Sequence, residues 1–126
     1  MHQQGLVVFA KDKKKVSAFY QQALNLAVIE SEGSYDLLMG QGYEVVIHSI
    51  PKQYAAQINI TWPPDPRDDT PFKPTFVVSS FEAVRQAADA TGAILKPIEM
   101  AWHFRGHRVL DGWDPEGNIV QFKEAK

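Results

Sequence analysis

Cysteine is absent from this chain. That excludes a disulfide scaffold, a thiolate zinc site, an iron–sulfur cluster and a cysteine nucleophile. Long apolar runs are missing as well. The longest, Leu6 to Ala10, is five residues, against the ~18–20 that a membrane-spanning helix requires. The opening Met1-His2-Gln3-Gln4 lacks the basic-then-apolar layout of a secretory signal, so the cytoplasm is the expected compartment. Neither sign of charge is in excess. Residues 1–50 carry four lysines against five acids and residues 51–126 nine basic residues against ten acids, so each half stands at −1. Net charge therefore predisposes no face to nucleic acid. Also missing are a Gly-x-Ser-x-Gly elbow, a phosphate-binding Gly-Lys-Ser/Thr loop, a His-Glu-x-x-His pair and a dinucleotide fingerprint. The commonest hydrolase, nucleotide and zinc-protease readings go with them.

What is present is an ordinary globular composition: 126 residues, 44% hydrophobic and 22% charged. This suits one domain with a core of its own. Leu6–Ala10 reads as a strand buried on both faces. Val16, Phe19, Tyr20, Ala23 and Leu24 then recur at helical spacing, with Asp12 as N-cap and Asn25 as a left-handed stop. Three strands follow, Ala27–Ser31, Tyr35–Met39 and Tyr43–Ile50, separated by Gly33-Ser34 and Gly40-Gln41-Gly42. Residues 51–72, with Pro63-Pro64-Asp65-Pro66, read as a linker. The same order then returns. Thr75–Val78 is a strand, and Ser79 with Glu82 is spaced as a capping box. Phe81, Val84, Ala87 and Ala88 form a second apolar stripe that stops at Gly92. Strands at Ile94–Met100, Arg108–Leu110 and Asn118–Lys123 complete it, the last introduced by the turn sequence Asp114-Pro115-Glu116-Gly117. The caps at 12 and 79 and the stops at 25 and 92 share one offset of 67. The expected fold is therefore α+β: two tandem βαβββ modules, 5–50 and 73–124, curled into a mixed-sheet cup with helices outside. Cups of this kind receive small ligands.

Two segments carry a family resemblance over nearly the whole chain. Lys11-Asp12 leading into Ser17-Ala18-Phe19-Tyr20 and Ala23-Leu24-Asn25-Leu26 is similar to the first strand–helix segment of the vicinal oxygen chelate superfamily. Asp114-Pro115-Glu116-Gly117-Asn118-Ile119-Val120-Gln121-Phe122 resembles its last turn and strand. That group includes glyoxalase I, extradiol dioxygenases, fosfomycin-resistance enzymes and bleomycin-resistance proteins. The resemblance implies a glyoxalase-like fold, and for the enzymes a divalent metal held by one His, Gln or Glu from each of four strands. Here those positions fall on Gly5, on Glu44 or His48, on Phe72 or Lys73, and on Gln121. Glycine and phenylalanine have no ligating side chain, and a lysine ammonium would have to lose its proton first. The expectation is a protein without the usual metal site and without another cofactor.

The remaining chemistry-bearing residues are read against plainer roles. His103 and His107 have H-x3-H spacing, but Gly106 makes their segment a hairpin turn rather than a helix. His48 is a candidate general base with Glu44 as its orienting carboxylate; a satisfied polar residue at a strand end is the plainer alternative. Trp102, Arg105, Arg108, Trp113 and Gln121 are candidate ligand-binding residues for a planar or anionic molecule, and closure of the core or of a subunit contact competes with that reading. Tyr35 and Trp62 are candidates for the opposite wall. The expected function is small-molecule binding of the glyoxalase/bleomycin-resistance type. The alternative is a lyase, isomerase or dioxygenase-type enzyme acting on a small oxygenated substrate. A regulatory module with a protein partner is a third possibility. A homodimer is expected, whether the cup lies within one chain or is shared.

Overall fold

A computed structural model describes residues 3–125. The first sheet is built from β1 (Gln4–Ala10), β2 (Ala27–Ser31), β3 (Tyr35–Met39) and β4 (Tyr43–Ser49) in the order β1-β4-β3-β2. β1 runs parallel to β4 and the other pairs are antiparallel. The second sheet orders β5 (Thr75–Val78), β9 (Ile119–Glu124), β8 (His107–Trp113) and β6 (Ile94–Leu95), with β7 (Trp102–Phe104) also paired to β8. Its β5–β9 pair is parallel, like β1–β4. The two βαβββ units are thus visible in the ladders, in an α+β glyoxalase-like fold.

Helices α1 (Lys13–Leu24) and α3 (Phe81–Thr91) begin where side chains satisfy their first amides. Asp12 accepts from the Lys15 N–H, and Asn25 closes α1 with a left-handed backbone (φ 54°). The second cap corrects the sequence reading: Ser80, not Ser79, accepts from the Ala83 N–H at 3.1 Å. The Glu124 carboxylate on β9 takes the Phe81 N–H at 2.9 Å, so the helix starts one residue later and its Phe81 ring enters the core.

Both apolar stripes are buried as their spacing predicts. The helices pack on each other and on one face of each sheet, making a single core. Phe19 of α1 meets Phe122 of β9 edge to face, with ring centres 6.4 Å apart. The other face of each sheet is largely uncovered, Val109 of the second sheet being buried there. On β1, Val8 and Ala10 are buried while Val7 and Phe9 are 52% and 60% exposed, so this strand is covered on one side only. Its parallel pairing to β4 is compatible with that, because the alternate residues simply line the open face.

Two further departures have local causes. The second strand of the second unit is broken: after β6, Pro97 precedes a 3-10 turn at Ile98–Met100, and pairing resumes only at β7. Proline has no N–H for a ladder and presets the entry to such a turn. Within the linker, Lys52–Ala55 forms a one-turn helix, α2.

The turn Asp114-Pro115-Glu116-Gly117 ties the two units together. The Glu116 carboxylate accepts from the Lys11 and Asp12 N–H groups at 2.8 and 2.6 Å, just before α1. The Asp114 carboxylate is buried and accepts from the Tyr20 hydroxyl at 2.9 Å, from the Glu116 and Asn118 N–H groups, and from the Asn118 amide. Burial pushes the Asp114 carboxyl above its usual range against these donors.

Candidate functional site

Strand alternation decides which residues can meet a ligand. On the first sheet the helix-covered residues Val45 and Ile47 leave Glu44, Val46 and His48 on the open side. They stand beside Gly5, Val7 and Phe9 of β1 and Tyr35, Leu37 and Met39 of β3. On the second sheet, Val120 and Phe122 face the helices, and Gln121 points the other way with its cross-strand partners Asp111 and Thr75.

His48 is oriented, though not by Glu44. Its Nδ1 lies 2.9 Å from the Ser49 carbonyl oxygen, which can only accept, so Nδ1 is the donor of this contact. The imidazole stacks on Tyr35 at 6.5 Å between ring centres and leans on Phe9 at 5.8 Å. Glu44 sits four residues away, paired with Gly5, and its Cγ comes within 3.3 Å of where a Gly5 Cβ would stand. A side chain at position 5 would therefore stand directly against Glu44. Glu44 and Thr75, from different sheets, line one cleft of about 550 Å³ at the β1 and β5 edges, together with Gly5, Tyr43, Phe76 and Val77.

The second-sheet candidates separate. Trp102 pairs with Val109, and Trp113 with Ile119, which puts both on the open side with Gln121. The Trp113 indole N–H is engaged by the Pro64 carbonyl at 2.8 Å, so this ring anchors the linker. Arg105 is exposed at the tip of the β7–β8 hairpin, with φ 51°, beside Gly106 at φ 83°. Arg108 lies on the opposite, helix-covered face. It packs over Phe81 at 5.2 Å and pairs with Glu124 at 3.2 Å, the carboxylate that also holds the start of α3. Arg108 is thus not part of the wall that carries Trp102 and Gln121. The hairpin also parts His103 and His107. His103 shares a face with Arg108 and His107 with Phe104, so the two rings are on opposite sides. Trp62 lies against the two helices, stacked with the Lys15 ammonium at 3.7 Å and against Gly92.

The cap at Ser80 resolves the position seven residues before it to Lys73. Its ammonium pairs with Asp111 Oδ2 at 3.0 Å and lies 5.8 Å from the Trp102 ring centre. Sequence reading missed Asp111 and Thr75. The signal was available once register was known, because they flank Gln121 across the ladder, and Thr75 Oγ1 donates to Gln121 Oε1 at 2.9 Å. Among the described residues no three of His, Cys, Asp and Glu converge on a site able to hold a metal ion.

No family model matches the chain, and no curated protein matches it. Solved structures do. A glyoxalase/bleomycin resistance protein/dioxygenase family enzyme from Burkholderia phytofirmans is 21% identical with a TM-score of 0.68, covering 98% of each chain. The fosfomycin resistance protein FosX from Listeria monocytogenes is 17% identical with a TM-score of 0.67, over 99% of this chain and 91% of that one. A glyoxalase-related enzyme from Fulvimarina pelagi is 14% identical at the same TM-score, over 99% and 88%. The chain therefore has the fold of these proteins over 98–99% of its length. At such identities the likeness extends to the fold and not to the chemistry performed on it.

Proposed function

We propose that this chain, built on that fold, is a small-molecule-binding protein that holds its ligand on the open sheet faces without the family's usual metal. The observation that carries the reading is the character of those faces. Apolar side chains left uncovered (Val7, Phe9, Val77 and Trp102) share these faces with a few polar groups, namely Glu44, His48 and Gln121, the last two held by hydrogen bonds. Ligand sites combine these two elements. The donor set does not fit a divalent cation. Of the four positions, Gly5 offers nothing, and Lys73 places a positive charge where a cation would have to sit. Bleomycin resistance and fosfomycin resistance are properties of related folds and supply no ligand identity here.

The partner we assign besides the ligand is a second copy of the chain. Phe104, at the β7–β8 hairpin, remains more than half exposed in one chain, and contact with a second copy would cover it. No described helix is long and apolar enough to cross a membrane. The cytoplasm is the compartment we assign.

A second reading is favoured by one observation. His48 is oriented through Nδ1 by the Ser49 carbonyl, which leaves Nε2 as the nitrogen an acid–base role would use. Under it the protein is a lyase, isomerase or dioxygenase-type enzyme for a small oxygenated substrate.

The test is capture of small molecules by the purified, EDTA-treated protein from a mixture of organic acids, phenols and neutral metabolites, read by mass spectrometry after gel filtration. Binding reading: one class co-elutes stoichiometrically and is recovered unchanged. Enzyme reading: the captured class is recovered converted, and His48→Asn stops the conversion but not the capture. Restoration of capture only by added Ni, Zn, Mn or Fe would sink the metal-free assignment.

A further inference from the structure

The cleft between the β1 and β5 edges has a charge of one sign. It encloses about 550 Å³, walled by Leu6, Tyr43, Phe76 and Val77, with Gln4, Gln41 and Thr75 as neutral polar groups. Among the described residues of its lining, only Glu44 carries a formal charge. The ion pairs among the described residues join other side chains, so this carboxylate lines the cleft without a counter-charge. Lys123, across the ladder from Val77, and Lys73, paired with Asp111, both lie outside the lining. Gly5 leaves room beside the carboxylate. It is a strand residue without positive φ, so conformation does not demand glycine there. A Cβ at this position would stand 3.3 Å from Glu44 Cγ, and glycine keeps that space clear. The half-buried Tyr43 ring lines the same cleft, backed by Phe76 with ring centres 5.3 Å apart.

A carboxylate and an aromatic ring together recognise cations, the first by a charge-assisted hydrogen bond and the second through the ring quadrupole. An anion would be repelled by Glu44, and a neutral molecule would leave its charge unanswered. The arginines do not restore an anion site here, because Arg108 packs on the helix-covered face and Arg105 stands at the hairpin tip. We propose that this cleft binds a small organic cation, an amine with an apolar body. Its ammonium donates to the Glu44 carboxylate, and its body lies against Leu6, Tyr43 and Val77. The assignment rests on the small-molecule reading above and names the ligand class for it.

The test is isothermal titration of the EDTA-treated full chain at neutral pH with benzylamine, benzyl alcohol and benzoate. Protonated benzylamine is expected to bind best and benzoate worst. Benzyl alcohol, which keeps the ring and loses the charge, should bind about tenfold more weakly than the amine, as loss of a charge-assisted hydrogen bond does. Glu44→Gln should weaken benzylamine by about tenfold and bring it level with benzyl alcohol. Gly5→Val should weaken both by filling the space beside Glu44. Neither position is buried, so these variants are expected to fold, and the ligand series on the unaltered chain stands without them. Equal binding of benzylamine and benzyl alcohol, undiminished binding of benzylamine by Glu44→Gln, or failure of benzylamine to bind overturns the assignment. Failure here with capture of another class in the experiment above would sink the ligand class alone and leave the small-molecule reading standing.

Discussion

Replacing Tyr20 by Phe removes a single oxygen atom and tests how the two βαβββ units are joined. The Tyr20 hydroxyl donates to Asp114 Oδ2 at 2.9 Å, across 94 residues of sequence, and both side chains are buried. Packing of the ring against Phe19 is unchanged by the substitution. What is lost is a buried hydrogen bond to a carboxylate, worth ~1.5–3 kcal/mol. The low side of that range is expected, because the Asn118 amide still donates to the same oxygen at 2.9 Å. In a domain of this size each kcal/mol moves the midpoint by roughly 4 °C, so the variant should melt about 6–8 °C lower. The cost should also depend on pH. Burial raises the Asp114 carboxyl above its usual value of 3.8 in the folded state, and the Tyr20 hydroxyl is among the groups that hold it down. A raised folded-state pKa means a stability contribution fully present below the unfolded value and lost as pH rises through the folded one. Without Tyr20 the carboxyl rises further, so the penalty of the substitution is largest at pH 7 and shrinks toward pH 4. Urea denaturation at both pH values, with far-UV circular dichroism as readout, measures it. A change below about 0.5 kcal/mol, or one equal at the two pH values, would refute the account of this junction.

Three further outcomes follow from the same geometry. Phe122→Ala empties a fully buried site against Phe19 and should cost ~3–5 kcal/mol in chemical denaturation. Gly117→Ala should cost ~1–3 kcal/mol by thermal unfolding, because the backbone sits at φ 88° and a Cβ would lie 2.1 Å from the Asp65 carbonyl oxygen. Burial opposes ionisation of Asp36, but hydrogen bonds from Ser31, Lys13 and Ser17 and the Lys13 charge outweigh it and hold the carboxyl below its usual 3.8. A depressed pKa contributes stability above the unfolded value that is lost as pH falls through the folded one. Asp36→Asn should therefore cost about 1 kcal/mol at pH 7 and progressively less below pH 4, by urea titration, the modest size reflecting a partly exposed pair.

The helices were legible in the sequence because their apolar spacing and their caps agree. Val16 to Leu24 and Phe81 to Ala88 are buried where the period puts them, and Asn25 and Gly92 close the ends. The one-residue error at Ser79 arose because two serines are adjacent and the deciding partner, Glu124, comes from a strand 43 residues away. The break at Pro97 was visible as a proline inside an expected strand, yet strand pairing on both sides of it depends on β8. Site residues were harder, because a strand residue's face follows from register, and register is a tertiary property. Arg108 and Trp113 are close in sequence on the same strand, but one faces the helices and the other the open side. Lys73 is 38 residues from Asp111 and joins it and Gln121 in one group only when β5, β9 and β8 align. Asp114 and Glu116 looked like turn formers, and the structure adds that they fasten that turn to α1.

The central claim is that a small molecule binds on the open sheet faces. Amide and indole chemical-shift mapping of the isotopically labelled protein, titrated with the compound class it captures, tests this directly. The account predicts that perturbations gather at Glu44, His48, Val77, Trp102 and Gln121 while Val84, Ala87 and the Trp62–Lys15 contact stay unmoved. Shifts confined to the outer surfaces of α1 and α3 around Trp62, with the open faces silent, would contradict it.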